Sequence, residues 1–143
     1  HTMISEFDYE EQLLPIDIAW SEKYQPYGIH YCGRDPHRHA AQFAQIKNLS
    51  FLDLGWGGDV KALREMLPET FFSLRLNPVE IGGYSSEELR EIISSRVAAS
   101  GDLYKTGICC VNMDDTITDE RVKEIYQIAH DLVEERGKSE EQR

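Results

Sequence analysis

Residues 50–67, SFLDLGWGGDVKALREML, contain a strand, a glycine-rich loop and a helix in direct succession. The apolar run from Ser50 to Leu54 is short and is typical of a buried strand. Asp59 is a residue type that caps helices, and apolar residues recur at helical spacing behind it. This stretch therefore predicts one complete strand–helix unit.

The same unit occurs four times along the chain. Strands are predicted over 29–32, 50–54, 70–76 and 107–112, each followed by a helix, over 36–47, 60–67, 85–99 and 119–135. A further helix is predicted over 5–24 with a kink at Pro15, and the chain from Lys138 onward is expected to be a frayed tail. Such alternation favours an α/β fold with a parallel sheet.

Four strand–helix units are half of a (β/α)8 TIM barrel. We expect residues 1–143 to form a single domain whose exposed sheet edges are completed by dimerisation or by a complementary half. The alternative is a small doubly wound sheet, but the first predicted strand is not followed by a phosphate-binding glycine turn. The glycines over 55–58 have the wrong spacing for such a fingerprint. We interpret this loop preferably as a conformationally permissive turn, with a phosphate cradle as the alternative.

The composition limits the partners. The 143 residues are 41% hydrophobic and carry 15 Lys and Arg against 26 Asp and Glu, a net charge of −11. A chain of this length can bury one hydrophobic core, and the excess of acidic residues disfavours binding to nucleic acid. No apolar run approaches the roughly 20 residues of a membrane span, and no signal peptide pattern is present. We therefore expect a cytoplasmic protein with no nucleic-acid or membrane partner, and we interpret His1 to Met3 as the remnant of a cloning tag.

Chemically versatile side chains follow the predicted strands, where functional groups collect in strand–helix repeats. His30 and Cys32 are two positions apart on a strand and point the same way. A cysteine of another strand would complete a three-ligand zinc site. Cys109 and Cys110 lie on opposite faces of the last strand, and we prefer Cys110 as the one that faces inward. The alternative is that the three cysteines are small apolar fillers and that His30 is a hydrogen-bonded strand residue.

Other polar groups at the strand ends and in the following loops are candidate contacts for a substrate or cofactor. They are Arg34, Asp53, Trp56, Asn77 and Asn112. Asp53 or Asn112 could orient the ring of His30 through its second nitrogen. The loop over 34–39 carries four basic side chains and could hold a carboxylate, sulfonate or phosphate. Its alternative interpretation is a solvated helix start capped by Asp35.

The segment His30-Tyr-Cys-Gly33 resembles the His-x-Cys-Gly strand of the uroporphyrinogen decarboxylase superfamily, and most closely its cobalamin-dependent methyltransferase branch. The resemblance continues through residues 51–54, 75–78, 85–89 and 122–125, and it covers the C-terminal half of that family's barrel. It implies zinc held by His30, Cys32 and a cysteine of the last strand. Cys110 matches that cysteine after a shift of one residue, and Cys109 is the alternative.

The resemblance further implies a function, namely transfer of a methyl group from a corrinoid to a thiol that zinc activates. The implied partners are a corrinoid protein or an N-terminal half-barrel, and a homo-oligomer is also expected. The first alternative is a metal-free, uroporphyrinogen decarboxylase-like carboxy-lyase of porphyrin biosynthesis, whose substrate-binding residues lie in segments that this chain lacks. The second is a non-catalytic half-barrel that acts as a homodimer or partner subunit.

Overall fold

A computed structural model describes residues 3–141, except for the side chains of residues 139–141. The helices are α1 (Glu6–Asp8), α2 (Leu14–Lys23), α3 (Ala40–Phe43), α4 (Val60–Met66), α5 (Pro78–Gly83), α6 (Ser86–Ser100) and α7 (Asp119–Glu141). The strands are β1 (Tyr27–Tyr31), β2 (Leu49–Leu54), β3 (Phe71–Leu76) and β4 (Thr106–Cys110). The first two residues of the expected tag and residues 142–143 lie outside the described part of the chain.

The four strands form one parallel sheet in the order β1-β2-β3-β4. Helices alternate with the strands, as parallel connections require. The prediction of an α/β fold with a parallel sheet is confirmed. None of the helices in the described part of the chain is both long and apolar enough to cross a bilayer.

One face of the sheet forms the hydrophobic core beneath the helices. Every second strand residue points to this face, and Leu52, Leu54, Phe72 and Leu74 are at most 1% exposed. Burying a leucine side chain contributes about 2 kcal/mol. Truncating one of these positions, for example Leu52→Ala, would cost more than that because it also leaves a cavity.

The other face of the sheet is partly open to solvent. Phe51 is 39% exposed there and its ring stacks on Phe71 with 5.8 Å between centroids. Glycines flank the pair: a Cβ built on Gly28 would lie 3.1 Å from Phe51 Cβ, and one on Gly107 would lie 3.0 Å from the Phe71 ring. The glycines thus make room for an aromatic layer at the amino half of the open face.

The N-terminal helix differs from the predicted continuous element. Between α1 and α2 the chain makes a π-helical turn over Tyr9–Leu13, in which the Leu14 N–H donates to the Tyr9 carbonyl. Pro15 follows at the start of α2 and has no N–H for a regular helical bond. The predicted kink at this proline is therefore a widened turn.

Three other boundaries also differ from the sequence prediction. The predicted helix over 36–47 is a 3-10 turn at Pro36–His39 followed by the single turn of α3. The predicted loop after β3 contains α5, which Pro78 opens from a first-turn position that suits its fixed φ. Helix α7 continues to Glu141, so the tail predicted to fray from residue 138 is helical that far.

Candidate functional site

The open face carries a polar cluster at the carboxyl ends of the first three strands. His30 of β1 and Asp53 of β2 are partners in the parallel register. The His30 Nδ1 and Asp53 Oδ2 atoms lie 2.5 Å apart, with 59% of the histidine side chain and 17% of the aspartate side chain exposed. Of the two residues predicted as able to orient His30, the structure places Asp53 at the ring. In the neutral ring this contact puts the proton on Nδ1 and makes Nε2 an acceptor.

Arg75 of β3 reaches across β2 toward the end of β1. Its Nη2 donates to the Tyr31 carbonyl at 2.9 Å and lies 3.5 Å from His30 Nε2. Its Nη1 lies 4.0 Å from Cys32 Sγ, and its Nε lies 3.2 Å from Asp53 Oδ1. The arginine is only 5% exposed, so the site contains a buried cation that compensates the carboxylate.

Sequence reasoning missed Arg75, although a signal was present. In the β3 sequence FFSLRL the arginine interrupts an apolar run and shares its face with Ser73 rather than with Leu74. A charged residue inside a strand needs a partner when it is buried. The neighbouring strand offers one in Asp53, which follows from the register but not from the sequence.

Two loops meet at the mouth of this site. A Cβ built on Gly55 would lie 1.9 Å from the Gly33 carbonyl oxygen, and one on Gly57 would lie 2.5 Å from the Arg34 carbonyl oxygen. Arg96 of α6 donates to the carbonyls of Gly55 at 3.1 Å and Trp56 at 2.6 Å. Close backbone contact therefore explains the glycines, which supports their interpretation as a permissive turn.

The basic loop over 34–39 does not form one positive patch. Arg38 donates to the Ile4 carbonyl, away from the strand ends. His39 is fully buried, and this burial lowers its pKa. His37 Nδ1 accepts the backbone N–H of Asp59 at 3.2 Å, and Arg34 remains exposed.

Asp35 does not cap the following helical turn with its side chain. It accepts the Tyr31 hydroxyl at 2.9 Å. Burial and this hydrogen bond raise the pKa of Tyr31 to about 12. The contact ties the loop after β1 to the strand that bears His30.

Cys109 and Cys110 take the reverse of the predicted orientations. Cys110 is the register partner of Leu76, which is 4% exposed on the helix face, whereas Cys109 is paired with Arg75. The structure therefore places Cys110 against the core and not on the face of His30. Burial raises the pKa of the Cys110 thiol, with a smaller contribution from Cys109.

The predicted zinc ligands are not brought together. In the part of the chain that the structure describes, no three His, Cys, Asp or Glu side chains are grouped closely enough to hold a metal ion. Strands β1 and β4 are at opposite edges of the sheet, three strand spacings or about 14 Å apart. The donor atoms of His30 and Cys32 instead converge on the guanidinium of Arg75. As arranged, these residues do not fit a three-ligand zinc site.

The remaining candidate contacts are spread along the carboxyl edge. Asn77 uses its side-chain oxygen to accept the Val79 N–H at 3.1 Å and so caps α5. Asn112 follows β4, exposed and with φ at 53°, a left-handed conformation that asparagine tolerates. Trp56 is half-buried in the loop that Arg96 holds. The structure thus joins Asp53 to His30, and it gives Asn77 a helix-capping role.

No protein-family model, curated protein or solved structure matches this chain. The resemblance to the uroporphyrinogen decarboxylase superfamily stays a prediction from the sequence.

Proposed function

We propose that this chain supplies half of a (β/α)8-barrel enzyme and that the open face of its sheet binds a carboxylate-bearing substrate, on which His30 transfers a proton. One observation carries this proposal, the 2.5 Å contact of His30 Nδ1 with Asp53 beside an exposed ring. A carboxylate at Nδ1 orients the imidazole, so Nε2, on the side of Arg75, is the nitrogen that would exchange a proton with the substrate.

Arginine side chains at this edge suit an anionic substrate. The guanidinium group matches a carboxylate in shape and binds it through two hydrogen bonds. Arg34 is exposed in the loop directly after β1, and Arg75 supplies a buried positive charge next to His30. The site thus carries two positive charges although the net charge of the whole chain is −11.

Loss of carbon dioxide is the reaction class that we favour for this site, because the chain resembles a superfamily that includes decarboxylases. The bond from carbon to the carboxylate breaks, carbon dioxide leaves, and the electron pair stays on the carbon. That carbon then takes a proton from Nε2 of the protonated His30 ring, which Asp53 orients through Nδ1. Proton transfer by a positioned side chain typically accelerates a reaction by about 100-fold or more.

The test is turnover of a porphyrinogen that carries acetate side chains, with loss of carboxylates followed chromatographically. We expect wild-type turnover to fall by about 100-fold in His30→Gln and in Asp53→Asn. Lys47→Met removes an exposed positive charge before β2, at the opposite end of the sheet, and should leave the rate unchanged. Full activity of His30→Gln, or no turnover by wild-type protein that light scattering shows to be assembled as a dimer, would contradict the proposal.

The half-barrel part of the proposal is supported by exposed apolar surface along both sheet edges. Ile16 and Trp20 of α2 are 50% and 57% exposed near β1. An apolar groove of 560 Å³ lies between β4 and α7, where Tyr126 and Val133 are exposed. A second set of four strands would cover both edges and close the barrel.

Zinc-dependent methyl transfer to a thiol is the second candidate. Its support is the resemblance of His30-Tyr-Cys-Gly33 to the methyltransferase branch, and the Arg75 guanidinium that lies between the His30 and Cys32 donor atoms is an argument against it. Zinc analysis of protein purified without chelator, compared with His30→Ala and Cys32→Ser, tests it. One zinc per chain that both variants lose would favour methyl transfer over the proton-transfer proposal.

A further inference from the structure

The guanidinium of Arg75 is surrounded by polar atoms of four residues. They are the Tyr31 carbonyl at 2.9 Å, Asp53 Oδ1 at 3.2 Å, His30 Nε2 at 3.5 Å and Cys32 Sγ at 4.0 Å. Nitrogen, sulfur and carboxylate oxygen are the donors that proteins use to bind zinc. In this chain they face the positive charge of a side chain instead.

Arg75 is held in this position by charge. It is 95% buried because its exposed fraction is 5%, and it cannot lose its proton in a protein. Its Nε and the Asp53 Oδ1 atom have no hydrogen-bond partner in the described part of the chain, so their contact is an ion pair. Moving the arginine away would leave the carboxylate partly buried and uncompensated.

A metal ion and the guanidinium would compete for the same space. Zinc bonds a histidine nitrogen at about 2.0 Å and a cysteine sulfur at about 2.3 Å. The His30 and Cys32 donor atoms are already within 4.0 Å of Arg75 nitrogens, so an ion bound to both would stand next to a permanent positive charge. The two cations exclude each other.

We propose that Arg75 is the resident cation of this cluster, that it excludes divalent metal ions from His30 and Cys32, and that a neutral side chain at position 75 opens a metal site there. This inference goes beyond the proposed function, which depends on the His30–Asp53 contact. An arginine in place of a metal would make the site independent of metal supply and selective for anionic substrates.

The experiment uses cobalt(II) as the probe, because a cysteine thiolate bound to cobalt gives a charge-transfer absorption band. The full chain is titrated as wild type, Arg75→Met, Arg75→Lys and the double variant Arg75→Met with Cys32→Ser. We expect no band for the wild type or for Arg75→Lys, which keeps the charge. We expect a band at one ion per chain for Arg75→Met, and its loss in the double variant. Arg75→Gln, whose amide can still donate to Asp53, replaces Arg75→Met if the latter does not fold.

Two results would overturn the inference. A wild-type band that Cys32→Ser removes would show that a metal enters despite the arginine. A folded neutral variant without a band would show that Arg75 is not what keeps the ion out. Turnover of the porphyrinogen in the presence of a chelator is measured in parallel, so failure of the proposed function is recognised separately from failure of the metal exclusion.

Discussion

Individual arginines connect several parts of this small fold, because one guanidinium has five donors in a fixed geometry. Arg64 of α4 is the most highly connected of those described. It donates to the carbonyls of Leu67, Pro68, Thr70, Ser100 and Lys105, and its guanidinium lies 3.9 Å from the Phe72 ring centroid. It thereby links α4 to the end of α6 and the start of β4.

We predict that Arg64→Lys lowers the free energy of unfolding by about 3 kcal/mol. Lysine keeps the charge but cannot direct donors to five carbonyls at once, so several buried acceptors lose their partners. Urea denaturation followed by circular dichroism measures the effect. Lys61→Met on the exposed side of the same helix is the control, and an equal loss in both variants would contradict the prediction.

His39 makes the stability of the fold depend on pH. Its ring is fully buried against Tyr9, with 5.1 Å between centroids, and Nδ1 has no partner among the described residues. Burial is the largest cause of its lowered pKa, followed by the charge of Arg38, while Glu6 and Asp35 oppose the shift. Between the folded pKa and the ordinary value of about 6.5, the unfolded chain therefore binds more protons than the folded one.

The stabilisation from neutral His39 is complete above about pH 6.5 and is lost as the pH falls through that value toward the folded pKa. We expect the urea midpoint of the wild type to drop more between pH 7.5 and pH 5.5 than that of His39→Gln, which does not titrate. The difference in slope between the two proteins is the measurement. Parallel pH profiles would rule out His39 as the responsible group.

At the scale of elements, the order of strands and helices was predictable because apolar periodicity and helix caps agree. Asp59 accepts the Ala62 N–H at 2.9 Å, and Ser85 and Glu88 form a reciprocal capping box at the start of α6. Helix α5 was missed because Asn77 followed by Pro78 also signals a turn. The same two residues are a cap and a first-turn proline.

The candidate site was predictable only in part. The side chains of His30 and Cys32, two positions apart, both approach the Arg75 guanidinium. Which face of the sheet Cys110 takes depends on the alternation along β4. Alternation from Ile108, which packs on the core, places Cys110 on the helix face. The sequence of a five-residue strand does not show how it aligns with its neighbours. The contact of Arg75 with β1 could therefore be recognised only from the pairing of strands in the sheet.

The two loops at the site mouth tolerate little added volume. We predict that Gly55→Ala destabilises the fold by about 2 to 3 kcal/mol, because its methyl group would meet the Gly33 carbonyl at 1.9 Å and backbone must move. Gly83→Ala is the matched control, since nothing lies within 4 Å of a Cβ there. Comparable losses of stability in both variants, measured by thermal denaturation, would contradict this explanation.

At the scale of the whole molecule, the unusual feature is a parallel sheet with one face partly open. Parallel sheets are generally covered on both faces. Here Phe51 is 39% exposed on the open face, and β4 has only intermediate burial along its whole length. Completion of the proposed barrel would bury this surface together with the groove beside α7.

If a second copy provides the missing strands, β4 of each copy pairs with β1 of the other and both edges are covered at once. We predict a mass by light scattering of about twice 16.5 kDa, or 33 kDa. Tyr126→Glu on α7 and Trp20→Glu on α2 would each place a charge in the new interface and yield the monomer. Met66→Glu, on a helix between the inner strands, is the control and should stay dimeric. A wild-type chain that is monomeric at every concentration would contradict completion of the barrel by a second copy, because the exposed edges would then stay unpaired.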